Sequence, residues 1–227
     1  MNQQEIDKKI EQFLEEISDN YTFSDDDIAY LKQYSGCDVG LSDNVISKLR
    51  EIVMKRMPSV FDETTVNFPS LKPKHLLAVG YGADKVLAGN YATVTAFQAD
   101  YYCYMASQGI NQEKIKEGSY RLKFRNLADF FTNYKGNNIK YSAVVVMPIK
   151  SAYHRMDTDS NYAFADSYVY YVLRGYLFTK TGGTLFAAIP QSSKNAFLAS
   201  IKPFELGNVE IDITMVENYL LVRIEKP

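Results

Sequence analysis

Over the first sixty residues apolar positions recur every three or four places. Beyond about residue 70, short apolar runs alternate with helix-like stretches. Ile6, Ile10, Phe13, Leu14 and Ile17 form one stripe on an otherwise polar segment, which predicts an amphipathic helix. Ser24 ahead of Asp25, Asp26 and Asp27 predicts a second helix, running through Ile28 and Leu31 to Ser35-Gly36. Its hydroxyl can cap free amides while the carboxylates sit at the positive end of the dipole. A third helix is predicted from Ser42-Asp43 to Pro58, carrying Val45, Ile46, Leu49, Ile52, Val53 and Met57 inward. The acidic residues of this part read as a solvated face.

The second part predicts strands at His75–Gly80, Tyr91–Gln98, Tyr120–Arg125, Ser142–Met147 and Thr184–Pro190. Val144, Val145 and Val146 belong to an unbroken apolar run, as expected of a central strand covered on both faces. Helices are predicted at Ala99–Gln108, Tyr162–Thr179 and Ser192–Ile201, with a turn at Lys180-Thr-Gly-Gly183. Val209–Met215 and Tyr219–Ile224, joined by Val216-Glu217-Asn218, read as a closing hairpin. The expected fold class is α/β: a doubly wound, mostly parallel sheet of seven strands ending in an antiparallel hairpin. A helical extension is expected over residues 1–60 and the α/β domain over 61–227.

Composition narrows the function classes. The chain has 227 residues, 46% hydrophobic and 23% charged, with a net charge of -2. No global field draws it to nucleic acid, so such a contact needs a local basic patch. Cys37 and Cys103 stand far apart and the only histidines are His75 and His154, so no zinc site is expected. His154 with Asp157 and Asp159 reads as ordinary loop polarity. No signal core or membrane-length apolar run is present, so a cytoplasmic protein without membrane contact is expected. Nucleophile-elbow, phosphate-loop and zinc-protease patterns are absent.

The order of these signals resembles S-adenosylmethionine-dependent methyltransferases, in particular adenine-specific DNA enzymes of phages and mobile elements. Leu173–Pro190, with Thr181-Gly-Gly-Thr184 inside it, resembles that family's lead helix, Gly-Gly turn and strand. Phe23–Cys37 resembles its helical lead-in, and Tyr141–Lys150 occupies the place of the catalytic strand and Asp/Asn-Pro-Pro-aromatic loop. The resemblance implies a methyltransferase-like sheet with Gly80, Gly82, Gln98 and Asp129 at the cofactor positions. It also implies catalytic positions at Met147, Pro148, Ile149 and Lys150, with Tyr153 close by.

The chain departs from this pattern where the chemistry should lie. Tyr81 stands between the two glycines, with no acidic residue just before them, and Asp84 is displaced toward the next helix. Gln98 and Asp100 replace the usual ribose-binding carboxylate. Methyl transfer to an exocyclic amine needs an amide or carboxylate to hold the amine and a ring to stack on the base. Met147 offers only a thioether, while Ile149 and Lys150 replace the second proline and the ring.

The chain therefore reads as a methyltransferase fold without its reaction, a binding or assembly subunit in phage or mobile-element DNA handling. No bound cofactor is expected. The alternative is an active enzyme using S-adenosylmethionine with Gln98, Asp129 and Tyr153 in rearranged roles. Lys150, His154 and Arg155 are the candidate nucleic-acid contacts, in loop 150–155. Aromatic residues on several faces of helix 162–179 offer a surface for a partner or a second copy. Lys114, Lys116, Arg121, Lys123 and Arg125 are expected on an exposed strand face.

Overall fold

The computed structural model describes residues 2–20, 42–57, 75–80, 83–87, 93–98, 108–117, 120–124, 140–147, 172–202, 204, 207 and 209–227. Among the described residues two helices come first, α1 (Gln3–Asn20) and α2 (Asp43–Arg56). Strand β1 (His75–Val79) follows, then the short α3 (Ala83–Val86), β2 (Thr93–Gln98), α4 (Gln112–Lys116) and β3 (Tyr120–Phe124). After β4 (Tyr141–Val146) come a helix α5 over 172–178 and β5 (Thr179–Pro190). A helix α6 (Lys194–Ser200) leads to the hairpin of β6 (Ile211–Val216) and β7 (Tyr219–Glu225).

The strands form one sheet in the order β3-β2-β1-β4-β5-β7-β6. The first five in chain order run parallel, and β7 is antiparallel to both β5 and β6. This is the mixed α/β sheet expected, with the apolar run of β4 at its centre between β1 and β5. Alternation along β4 feeds two cores. Val144 and Val146 meet α1 (Ile6, Ile10), α5 and α6 on one face. Ala143 and Val145 meet α2 (Val45, Leu49, Val53) and α3 on the other. Each fully buried valine contributes about 1.5–3 kcal/mol relative to an exposed one. The two N-terminal helices thus cover opposite faces of the sheet.

Ser42 caps α2 as anticipated, its hydroxyl accepting from Val45 N–H at 3.3 Å. The same hydroxyl donates to the Glu217 carboxylate at 2.8 Å, and Asn44 adds a bond of 2.9 Å. The β6–β7 turn is thereby tied to the positive end of α2. These bonds, Asn44's first, hold the Glu217 carboxyl below its usual pKa.

The segment 180–183 departs from expectation. It lies inside the 12-residue β5, and Thr179 begins that strand instead of ending a helix. Between Tyr141↔Thr179 and Ala143↔Thr184 the register jumps, so β5 carries extra residues opposite β4. Gly182 absorbs this bulge with φ of +73°, and a Cβ on Gly183 would lie 2.8 Å from the Ser142 carbonyl oxygen. A Gly-Gly pair thus serves a bulge here, where sequence alone reads a turn. The helix predicted after Ser24, the stretch 99–107 and residues 162–171 lie outside the described residues.

Candidate functional site

Chain order runs outward from β1 to β2 and β3, then returns to place β4 on the other side of β1. The reversal between β1 and β4 opens a crevice beyond their carboxyl ends, where open α/β sheets bind ligands. The adjacent chain ends are fixed by register: Val79 pairs with Phe97 of β2 and with Val146 of β4. Gly80, Gln98 and Met147 are each the next residue along, so all three come to this edge.

Gly80 leaves β1 with φ of +86°, a conformation that glycine adopts without a side-chain clash. This bends the chain sharply at the crevice, as a backbone approaching a ligand requires. Met147 N–H donates to the Val79 carbonyl at 2.8 Å, one rung past the end of β4. Its side chain continues the alternation of Ala143 and Val145 into the core under α2 and is only 1% exposed. At the position where the resemblance calls for an amine acceptor, the fold holds a packed thioether. Of Gln98 only the backbone is described. Gly82, Tyr81, Asp129, Pro148, Ile149, Lys150, Tyr153, His154 and Arg155 lie outside the described residues.

Ser193, inside the helix predicted over Ser192–Ile201, also belongs to this edge. Ser193 closes a 3-10 turn, Gln191–Ser193, directly after β5. Its hydroxyl is fully buried, makes no cap bond and has no hydrogen-bond partner among the described residues. The sequence signal was present, since Ser192-Ser193 follows a strand ending in Pro190, but burial of one hydroxyl is a tertiary fact.

The prominent charged groups sit elsewhere. A groove of about 390 Å³ runs between the last turns of α2 and the face of β6 and β7, lined by Ile52, Lys55, Arg56, Asp212, Thr214, Leu221 and Arg223. Its arginines are engaged: Arg56 Nη2 donates to Glu225 at 2.7 Å, and Arg223 bonds Glu210, Asp212 and Glu225. The bond from Arg56 is the main reason the Glu225 carboxyl lies below its usual pKa. Strand β5 separates this groove from the switch point and its arginines are already paired, so it is a buttress of the hairpin.

At the amino edge, Lys226 is buried against Asp7 at 2.9 Å and lies 4.7 Å over the Tyr176 ring. Tyr176 and Phe178 of α5 are both buried, so neither offers the partner surface anticipated for this helix. The expected basic strand face is also corrected: Lys114 and Lys116 stand on helix α4, because Gln112–Lys116 closes its own helical turn. Among the described residues no group of His, Cys, Asp and Glu forms a metal cluster. Among them, too, no helix is long and apolar enough to cross a membrane.

No protein-family model matches the chain, and no curated protein matches it. Solved structures do. A protein assigned as an rRNA methylase from Clostridium thermocellum aligns with TM-score 0.55 at 13% identity, covering 82% of this chain and 97% of its own. A 16S rRNA N2 methyltransferase from T. Thermophilus, in complex with AdoMet and guanosine, aligns with TM-score 0.54 at 16% identity. That alignment covers 84% of this chain but only 45% of the other, so the chain spans less than half the Thermus enzyme's length. At these identities the likeness concerns the fold: this chain carries the α/β fold of S-adenosylmethionine-dependent methyltransferases.

Proposed function

We propose that this chain is a methyltransferase-fold binding or assembly subunit that does not itself transfer a methyl group. The burial of Met147 carries this reading. An exocyclic amine must be held by a hydrogen-bond acceptor while it attacks the methyl donor, and a thioether packed under α2 offers none. Function resides in the site and not in the scaffold, so a fold can outlive its reaction. The partner in this proposal is nucleic acid in phage or mobile-element handling, with Lys150, His154 and Arg155 as phosphate contacts. Solved structures of the same fold named as rRNA methylases support that class of partner. Residues 1–60 act as helical covers for the α/β domain over 61–227.

A second reading, an active enzyme with Gln98, Asp129 and Tyr153 in rearranged roles, draws support from the positive φ of Gly80 at the switch point. The T. Thermophilus protein of this fold is in complex with AdoMet, and donor binding is a separate matter from donor chemistry. Two measurements separate the readings. Calorimetric titration with S-adenosylhomocysteine reports the pocket, and transfer of label from S-adenosylmethionine to DNA and ribosomal RNA reports the chemistry. No label transfer is expected, whether or not the donor binds. Label above the protein-free level overturns the proposal in favour of the enzyme.

A further inference from the structure

Among the described residues β6 ends the sheet, with no strand on its outer side. Which backbone groups face outward follows from the hairpin. Glu225 N–H donates to the Glu210 carbonyl, so Glu210, Asp212, Thr214 and Val216 turn their amides and carbonyls toward β7. Ile211, Ile213 and Met215 turn theirs outward. The same three side chains share one sheet face: Ile211 packs against the core under α1, while Ile213 and Met215 remain 39% and 46% exposed. Edge strands are normally guarded by lysine, proline or a bulge. Ile211-Asp-Ile-Thr-Met-Val216 has neither residue, and its register with β7 is unbroken. Its only charge, Asp212, is already held by Arg223.

We propose that this edge joins a second copy of the chain, antiparallel about a twofold axis through Ile213, so that the sheet continues across both molecules. An axis perpendicular to the sheet keeps each face on its own side, which leaves few registers open. Centring on Asp212 would set two carboxylates directly opposite each other, which is destabilising. Centring on Thr214 would run Ile211 into the Glu217 turn. Centring on Ile213 places Ile213 against its own copy, Ile211 against Met215, and Asp212 against Thr214. Every outward amide and carbonyl of β6 then has a partner, the exposed apolar pair is covered, and no like charges meet. This match of the strand to its own reverse is what selects a second copy over a foreign strand.

Sedimentation of the full chain over a range of concentrations tests the proposal, with circular dichroism confirming that each variant is folded. The wild-type chain is expected to move from monomer toward twice its mass as concentration rises. Ile213→Pro removes an outward N–H that the hairpin does not use, and Ile213→Lys sets two ammonium groups across the axis. Each is expected to weaken association at least tenfold. Thr214→Lys, facing Asp212 of the second copy, is expected to tighten it. A chain that stays monomeric up to about 1 mM, the weak limit of specific association, overturns the proposal. So does a dimer indifferent to both Ile213 variants. A dimer not tightened by Thr214→Lys overturns the register.

Discussion

The two edges of the sheet use polar groups in opposite ways. At the amino edge Lys226, 4% exposed, is met by Asp7 and the Tyr176 ring, while the Tyr176 hydroxyl donates to Gln3 Oε1 at 3.2 Å. The backbone joins in, with Gly182 N–H donating to the Lys226 carbonyl and Lys226 N–H to that of Gly183. At the carboxyl edge the switch point presents Gly80 and the packed Met147, and Ser193 nearby keeps a buried hydroxyl without a partner. This cluster of a buried ion pair and an aromatic ring therefore holds α1 and β7 together. Among the described residues the carboxyl edge, where open α/β sheets bind ligands, is marked by Gly80 and the apolar Met147 and by no comparable ion pair.

Breaking the amino-edge pair should have the largest effect. Asp7→Ala leaves a buried ammonium without its ion-pair partner, and we expect a loss of about 3 kcal/mol in urea denaturation. That is the low end for such a pair, because Asp7 itself is 30% exposed. Replacing both partners, Asp7→Leu with Lys226→Met, should recover most of it. A loss within experimental error for Asp7→Ala would mean that water already solvates Lys226.

The pH dependence sharpens the same comparison. Burial pushes the Lys226 ammonium below its ordinary value of 10.5 despite Asp7. The folded chain thus holds that proton less tightly than the unfolded one, and stability rises as pH climbs through the folded value toward 10.5. Tyr176 has the opposite sign: burial raises its phenol, so its contribution is complete below 10.0 and is lost above it. Tyr176→Phe should cost at most about 1 kcal/mol near neutrality, for the bond to Gln3. Above pH 10.0 the variant should gain on the wild type. Melting temperatures followed into the alkaline range check the sign, and a steady gap between the two chains would contradict it.

Much of this architecture could be read from the chain because it is set locally. The run Ala143–Val146 announces a doubly covered strand, and Ser42 announces a helix start through one side-chain oxygen. The β5 bulge was misread because Lys180-Thr-Gly-Gly183 has turn chemistry, and only pairing with β4 decides that the strand continues through it. The amino-edge lock was invisible for a different reason. Lys226 meets Asp7 across 219 positions, and no local spacing signals such a pair. At residue 147 the sequence shows a thioether where the resemblance calls for an amine acceptor, but not that it belongs to the core. That Met147 packs under α2 depends on Val45, Leu49 and Val53, which the sequence places in a separate helical segment.

At the carboxyl edge the smallest change concerns Ser193. Ser193→Ala removes a buried hydroxyl that has no partner, and we expect a gain of about 0.5–1 kcal/mol by thermal or urea denaturation. A loss would show that the hydroxyl is satisfied by a neighbour and belongs to the scaffold.

The contrast between the edges rests on residue 147 being core and not site. Urea denaturation of Met147→Asn, with Met147→Leu as the volume-matched control, addresses this directly. Restoring the amide that a methyltransferase would need should cost about 2–3 kcal/mol, because a carboxamide buried under α2 has no partners. The leucine control should cost less than about 1.5 kcal/mol. If Met147→Asn leaves stability unchanged or raises it, the side chain at 147 faces the crevice, and the carboxyl edge is still built for chemistry.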